Sequence, residues 1–433
     1  MISPQAMKTT TKSLCGLPAL PFNGIIINLI LALSICVMFP VQIKSQEING
    51  LLSARTIQKS NANIPYVTPE MQTGKPEPGK RVKVIPDGYA GTNVYHSLYL
   101  PEGQTADKKY PVIVEYTGNY APGLGSSGQV KDASLGYATA RALGAIWVVM
   151  PYLSADGRTS EITWWGSETL TIDYCAKQLR EICMNYGGDP SAVFIIGFSR
   201  GAIAVNRLGL NDDRAADIWL AFHSHDHFDG QFRWSAPWAN NGDYKAYKAD
   251  AIERAKRYNG RAALVCGEKM DSLANYLSST QINTFGELTV LSVPVVQIIP
   301  PDDLFVNPDN GEKITHTDKW MNYDSPMADE VVQWYKDVIK NKHGTYCIHG
   351  TVTNKNGRPM KGVIVETGMK GVDYKGIYTH FSVTDSNGAY KIDGLTKGKR
   401  ILMVKDKTGA KLVRSKKVDL PFDEVLNFSV KEN

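Results

Sequence analysis

The feature that most constrains the fold is a succession of near-continuous apolar runs separated by helical stretches. The runs are residues 111–116, 145–150, 192–196, 218–222, 262–266 and 293–299. A strand covered on both faces reads this way, whereas one with a wet face alternates. Helical stretches at 132–143, 168–186, 200–209, 244–258 and 271–279 lie between them. A last helix near 328–341 sets Val331, Trp334, Tyr335 and Val338 on one face. Residues 94–100 alternate, as an early antiparallel strand would. The pattern predicts an α/β fold: a mostly parallel sheet with helices on both faces, over residues 82–343.

The style changes at Gly344. Short strands recur, and Asn356-Gly357 and Asn387-Gly388 sit between alternating apolar residues, a hairpin signal. With no helical stretch there, residues 344–433 read as a small all-β sandwich. Its contacts with the preceding fold are not legible, so it reads as detachable, with a chain ending near Asn341 keeping the closing helix.

At the other end, Lys8 and Lys12 precede an apolar run from Ile25 to Phe39, ended by Pro40. That run is shorter than the ~20 residues a spanning helix needs. With a small residue at Ser45, residues 1–45 read as a signal peptide, so the chain is expected to be exported, periplasmic or secreted. A retained anchor and a lipoprotein at Cys36 are the alternatives, although Ile35 stands where a lipoprotein wants a small residue. Residues 46–81 read as a strap or linker. The net charge of +5 is interleaved with acids and forms no basic block, which excludes a nucleic-acid face. Cys175 and Cys183 share a predicted helix about 12 Å apart, too far to pair.

Gly197-Phe198-Ser199-Arg200-Gly201 follows an apolar strand and opens a helical stretch. In that context a G-x-S-x-G turn lifts its serine above the sheet, and crowding demands small neighbours at −2 and +2. The backbone N–H of Arg200, at the helix start, can face a developing oxyanion. A serine needs a base, and His316 stands after the last strand and before the closing helix. The acid is expected after the penultimate strand, in Gly267-Glu268-Lys269-Met270-Asp271. Asp271 is the first choice, with Glu268, and then Asp226 or Asp229, as alternatives. A second oxyanion donor is expected from Asn119 or Tyr120 in the loop after the first parallel strand. His223-Ser224-His225-Asp226-His227 reads as pocket lining, with His223 and His225 against substrate, and a metal site as the lesser reading. Trp165 is a further candidate for substrate contact, beside Trp164. Trp234 and Trp238 fall in a stretch that suits a modest cap.

Residues 82–341 resemble the α/β-hydrolases, near the dienelactone-hydrolase, prolyl-oligopeptidase and carbohydrate-esterase branches. The likeness rests on residues 197–202, on 267–271 and on His316, in the order serine, acid, histidine. It implies hydrolysis of an ester, or less often an amide, without metal or other cofactor. Thr117-Gly118 stands where many esterases carry His-Gly. Residues 348–353, 362–363 and 384–390 resemble a carboxypeptidase-regulatory-like domain, a module common in bacterial envelope proteins, which implies a cell-envelope contact. The expectation is an exported serine esterase acting on acylated carbohydrate or another small ester. A prolyl-oligopeptidase-like peptidase and a non-catalytic binding protein on the same fold are the alternatives.

Overall fold

The computed structural model describes residues 66–234 and 242–430. The leader expected over residues 1–45, most of the linker, and Trp238 lie outside the described residues. Among the described residues no helix is long and apolar enough to cross a membrane.

The strands are β1 (Arg81–Val84), β2 (His96–Tyr99), β3 (Tyr110–Tyr116), β4 (Ile146–Met150), β5 (Gly188–Phe198), β6 (Ala221–His225), β7 (Ala262–Gly267) and β8 (Glu287–Ser292). They form one eight-stranded sheet in the order β1-β2-β4-β3-β5-β6-β7-β8. β2 runs antiparallel to β1 and β4, and every pair from β4 to β8 is parallel. This is the α/β-hydrolase sheet, with β5 near its centre. The helices are α1 (Leu135–Leu143), α2 (Glu168–Asn185), α3 (Arg200–Arg207), α4 (Asp213–Ala216), α5 (Tyr244–Ala255), α6 (Asp271–Ser279), α7 (Val295–Ile298) and α8 (Pro326–Asn341). α1, α7 and α8 bury Leu135, Val295, Val331 and Tyr335 on one face of the sheet. α2, α3 and α6 bury Ile172, Leu179, Ile203 and Leu273 on the other.

Two of the expected parallel strands differ. The run 218–222 lies mostly ahead of β6, which begins at Ala221 and takes in His223 and His225. The apolar run 293–299 is not a strand: Pro294 caps α7 within it. The last strand is the preceding Glu-Leu-Thr-Val-Leu-Ser, which among the described residues pairs with β7 alone and is half exposed. An edge strand has no second covered face, so it alternates and escapes a search for continuous apolar runs.

Residues 346–430 form two sheets, β11-β10-β13-β14 and β12-β9-β15, from β9 (Tyr346–Asn354), β10 (Ile364–Met369), β11 (His380–Val383), β12 (Ala389–Leu395), β13 (Gly398–Lys405), β14 (Lys416–Leu420) and β15 (Phe428–Val430). All pairs are antiparallel except β15 with β9. Ile348, Val365, Leu402 and Val430 fill the space between.

The sandwich is not loosely tethered. Asp217, after α4, accepts a two-pronged ion pair from Arg400 of β13, and each residue is at most 2% exposed. Tyr374 and Thr396 donate to the same carboxylate at 2.7 and 3.2 Å. Burial opposes the charge on Asp217, but Arg400 and His380 outweigh it and hold the carboxyl below its ordinary range. Ile364 and Phe381 pack into the core of the larger fold, and Arg180 of α2 meets Glu366 at 3.0 Å. The dock lies at the start of β5, where Gly394 approaches Ser191. Ser199 stands at the other end of that strand, roughly 26 Å away at the strand rise.

Arg400→Leu leaves a buried carboxylate unpaired and is expected to cost about 3–5 kcal/mol at pH 7, read by urea unfolding. Because the folded value for Asp217 is depressed, the pair's contribution is present above the unfolded carboxylate value of about 3.9. It is lost as pH falls through the folded value, so the gap between wild type and variant narrows in acid. A chain ending at Asn341 is expected to lose its cooperative unfolding transition, contrary to the detachable reading.

Candidate active site

The turn between β5 and α3 is tightly crowded. Ser199 has φ 54°, in the left-handed region. A Cβ on Gly197 would lie 2.2 Å from the Gly201 carbonyl carbon, and one on Gly201 would lie 1.9 Å from the Tyr116 oxygen. Only glycine fits at either position, as the motif requires. The Ser199 N–H donates to the His225 carbonyl at 3.0 Å, tying the turn to the end of β6.

The loop before α8 brings His316 over this turn. Its Nε2 lies 3.1 Å from Ser199 Oγ, so the pair foreseen from the sequence is in contact. Its Nδ1 lies 3.0 Å from Asp226 Oδ2. Asp271 is not the facing carboxylate. It is exposed, in the first turn of α6. Glu268 also points elsewhere and accepts from Thr315 Oγ1 at 2.7 Å. Asp229, the other alternative, is spent on Tyr247 and Arg254 at 2.7 and 2.9 Å.

The glycine that ends β7 has a different task. A Cβ on Gly267 would lie 2.2 Å from Asp226 Oδ1. The bare backbone admits the carboxylate, and the Glu268 N–H donates to Oδ1 at 3.3 Å. Asp226 itself has φ 71°. Burial would raise its pKa, but His225 and His316 overrule that and hold it well below the ordinary carboxylate range. The segment expected to supply the carboxylate facing His316 instead makes room for it.

The histidine string does not line a pocket as a unit. His223 is buried, with Tyr335 at 2.8 Å and Cys266 Sγ at 3.1 Å, and burial, then His225, pushes its pKa down to about 3. His225 is buried against Trp320, whose indole N–H meets its Nε2 at 2.5 Å. Contrary to the expectation of pocket lining, both side chains are buried, on the face of β6 covered by Tyr335 of α8 and by Trp320. His227 lies beyond the turn at Asp226, and its ring is 5.1 Å from that of His316 and 4.9 Å from Trp234. Burial, then His316, pushes its pKa down to about 4. The three rings take three different partner sets.

Trp165 is likewise core, stacked on Tyr152 at 5.6 Å and donating to Glu168. Trp164 is the half-exposed member, 5.8 Å from Trp234. His227, Trp164 and Trp234 thus make the aromatic wall beside His316. The one-residue offset depends on which way each loop turns.

The Arg200 side chain runs beneath the site. It donates to Thr117 Oγ1 at 3.0 Å and to the Trp164 carbonyl at 2.5 Å, and its guanidinium lies 4.0 Å from the Tyr152 ring centroid. Its backbone N–H is the first of α3 and has no acceptor within the helix. Of the other oxyanion candidates, Tyr120 has its N–H committed to the Ile162 carbonyl at 2.8 Å. Asn119 is fixed at both ends: Oδ1 accepts from the Trp164 N–H and its carbonyl accepts from Ser126 Oγ, each at 2.6 Å. A polar pocket opens beside His316, with Ser126, Ser127, Gln129, Asp303, Phe198 and Phe305 among its lining.

No family model matches the sequence, and no curated protein matches it. Similar solved structures include a thermostable esterase, at 13% identity over 59% of this chain and 62% of that one, with a TM-score of 0.37. The shared span is thus under two thirds of the esterase's own length. An S-formylglutathione hydrolase from Agrobacterium tumefaciens is similar at 14% identity over 58% and 92%, TM-score 0.39. A dipeptidyl aminopeptidase IV-type protein from Bacteroides ovatus matches at 14% over 60% and 35%, TM-score 0.39. These likenesses are of fold alone, and the reading below rests on geometry.

Replacing Gly267 by Ala should displace the Asp226 carboxylate. Gly267→Ala and Asp226→Asn are both expected to slow fluorophosphonate modification of Ser199 strongly, while Asp271→Asn leaves the rate unchanged. Time-resolved mass spectrometry of the labelled chain checks the order.

Proposed function

We propose that this chain is an exported serine esterase acting on acylated carbohydrate, with Ser199 as nucleophile, His316 as base and Asp226 as the acid that orients it. The observation that carries the reading is the unbroken contact from Ser199 Oγ through His316 to Asp226, built on a strained turn. In the reaction, Ser199 Oγ attacks the acyl carbon while His316 Nε2 takes its proton. The Asp226 carboxylate accepts from Nδ1–H, which fixes the tautomer and stabilises the imidazolium. The N–H groups of Arg200 and Asn119 are the donors for the tetrahedral oxyanion. The alkoxide leaves with the proton from His316, and water repeats the sequence on the acyl-enzyme.

Sugar as the alcohol is supported by the pocket beside His316. Its serines, Gln129 and Asp303 offer donors and acceptors for hydroxyl groups, and Phe198 and Phe305 offer apolar faces for ring carbons. The aromatic wall of Trp164, Trp234 and His227 suits a flat acyl group. Export is read from the N-terminal residues of the sequence, and the sandwich, far from the site, is free to meet the cell envelope.

A fluorophosphonate should label wild type and not Ser199→Ala. Turnover of an acylated sugar should fall by about 10⁴ in Asp226→Asn, in which the histidine tautomer is no longer held. Full labelling of Ser199→Ala would remove the nucleophile from the scheme. Cleavage of proline-containing peptides with no activity on acetylated or feruloylated sugars would replace the esterase reading by the peptidase one.

A further inference from the structure

We propose that His225 is a positioning residue: its Nδ1–H grips the Asp226 carboxylate for His316, with Trp320 fixing the tautomer that makes this possible. The inference rests on the serine-hydrolase reading above. An indole N–H can only donate, so the Trp320 contact at 2.5 Å makes His225 Nε2 the lone-pair nitrogen. The ring is therefore neutral and its one proton sits on Nδ1. That atom is buried without a hydrogen-bond partner, and the carboxylate oxygen Asp226 Oδ2 lies 3.5 Å from it, within reach of a small shift of either group. His316 Nδ1 reaches the same oxygen at 3.0 Å. With the Glu268 N–H on Oδ1, the carboxylate is approached from β6, from the loop after β7 and from the loop before α8.

A wholly buried imidazole needs a reason, because an apolar ring of similar size would fill the space without a polar atom to satisfy. Here Nε2 meets a donor, and Nδ1, which has no hydrogen-bond partner of its own, lies beside a carboxylate. The groups around it are His223, Asp226 and His227 on its own segment and Asp318 and His316 on the returning loop. The Phe198 ring closes one side at 5.4 Å.

The test uses the full chain with p-nitrophenyl acetate as probe and compares His225→Leu, His225→Asn and Trp320→Phe. The asparagine amide nitrogen stands where Nδ1 stood and can still donate. His225→Leu is expected to lower kcat by about 10–100-fold, the value of one hydrogen bond to a charged group, with KM unchanged. The acid limb of its kcat/KM profile should move to higher pH, because Oδ2 is left wholly to His316 and holds its imidazolium more tightly. His225→Asn should restore kcat and the limb, and Trp320→Phe should fall between. Wild-type kcat and limb in His225→Leu would overturn the proposal, as would an asparagine variant no better than leucine. Should the leucine variant not fold, Trp320→Phe decides: wild-type kcat and limb there overturn it. Failure of the parent reading shows separately, as hydrolysis by Ser199→Ala or no fluorophosphonate labelling of wild type.

Discussion

The approach of α3 to the end of β3 is the constraint on which the site depends. Gly201 lies so close to the Tyr116 carbonyl that any side chain would collide with it. That proximity leaves Ser199 no relaxed backbone geometry, and a residue held at such a φ costs on the order of 1–3 kcal/mol. The sheet sustains the strain because Phe194 to Gly197, near the end of β5, are clamped between β3 and β6. One further bond matters. The Ser199 N–H is held by the carbonyl of His225, and the next residue is Asp226. The serine and the carboxylate are thereby registered to each other through a single peptide unit, without a long loop between them.

Arg200 solves a second problem, which is how irregular loops are kept in place. A buried guanidinium is costly unless its donors are met, and burial pushes this one's pKa down to about 10. Its fork is met by loop oxygens of Thr117, Gly128, Glu161 and Trp164, over the face of Tyr152. Loops that lack a ladder of their own are thus indexed to the first residue of α3. The same residue that offers its backbone N–H to the site holds, through its side chain, the loop that carries Asn119 and the loop that carries Trp164. On the other face, Glu115 of β3 does comparable work: it accepts from the Leu135 and Gly136 N–H groups at the start of α1, where Ser134 provides no side-chain cap.

The sandwich is joined by charge as much as by apolar area. The pair between Asp217 and Arg400 is buried and is met by Tyr374 and Thr396, while His380 Nε2 meets the Asp217 backbone carbonyl. Such a pair adds less net stability than its geometry implies, since both ions surrender their hydration. It does fix orientation, because a rotated sandwich would leave two ions buried alone. With the dock at the start of β5 and Ser199 at its end, the sheet itself separates the attachment from the serine turn.

The sequence by itself determined the parallel sheet, the serine turn and the contact between Ser199 and His316. Those features are written locally: continuous apolar runs, two glycines forced by crowding, and a histidine whose place follows from chain order. Which carboxylate faces His316 was decided by tertiary structure. Asp226 and Asp271 are both carboxylates just past a strand end, and nothing in either stretch reveals that Gly267 leaves room for the one while α6 carries the other into solvent. His223 and His225 looked like pocket residues because alternation gives a face but not its direction, and that direction is set by Tyr335 and Trp320, more than 90 residues along the chain. Trp165 and Trp164 exchanged roles for the same reason. The dock of the sandwich was equally hidden, since Asp217 and Arg400 are ordinary charged residues until folding brings them together in a place without water. Short-range sterics leave a mark on the sequence, whereas the pairing of distant polar groups is fixed only when burial removes the solvent that would otherwise satisfy each of them alone.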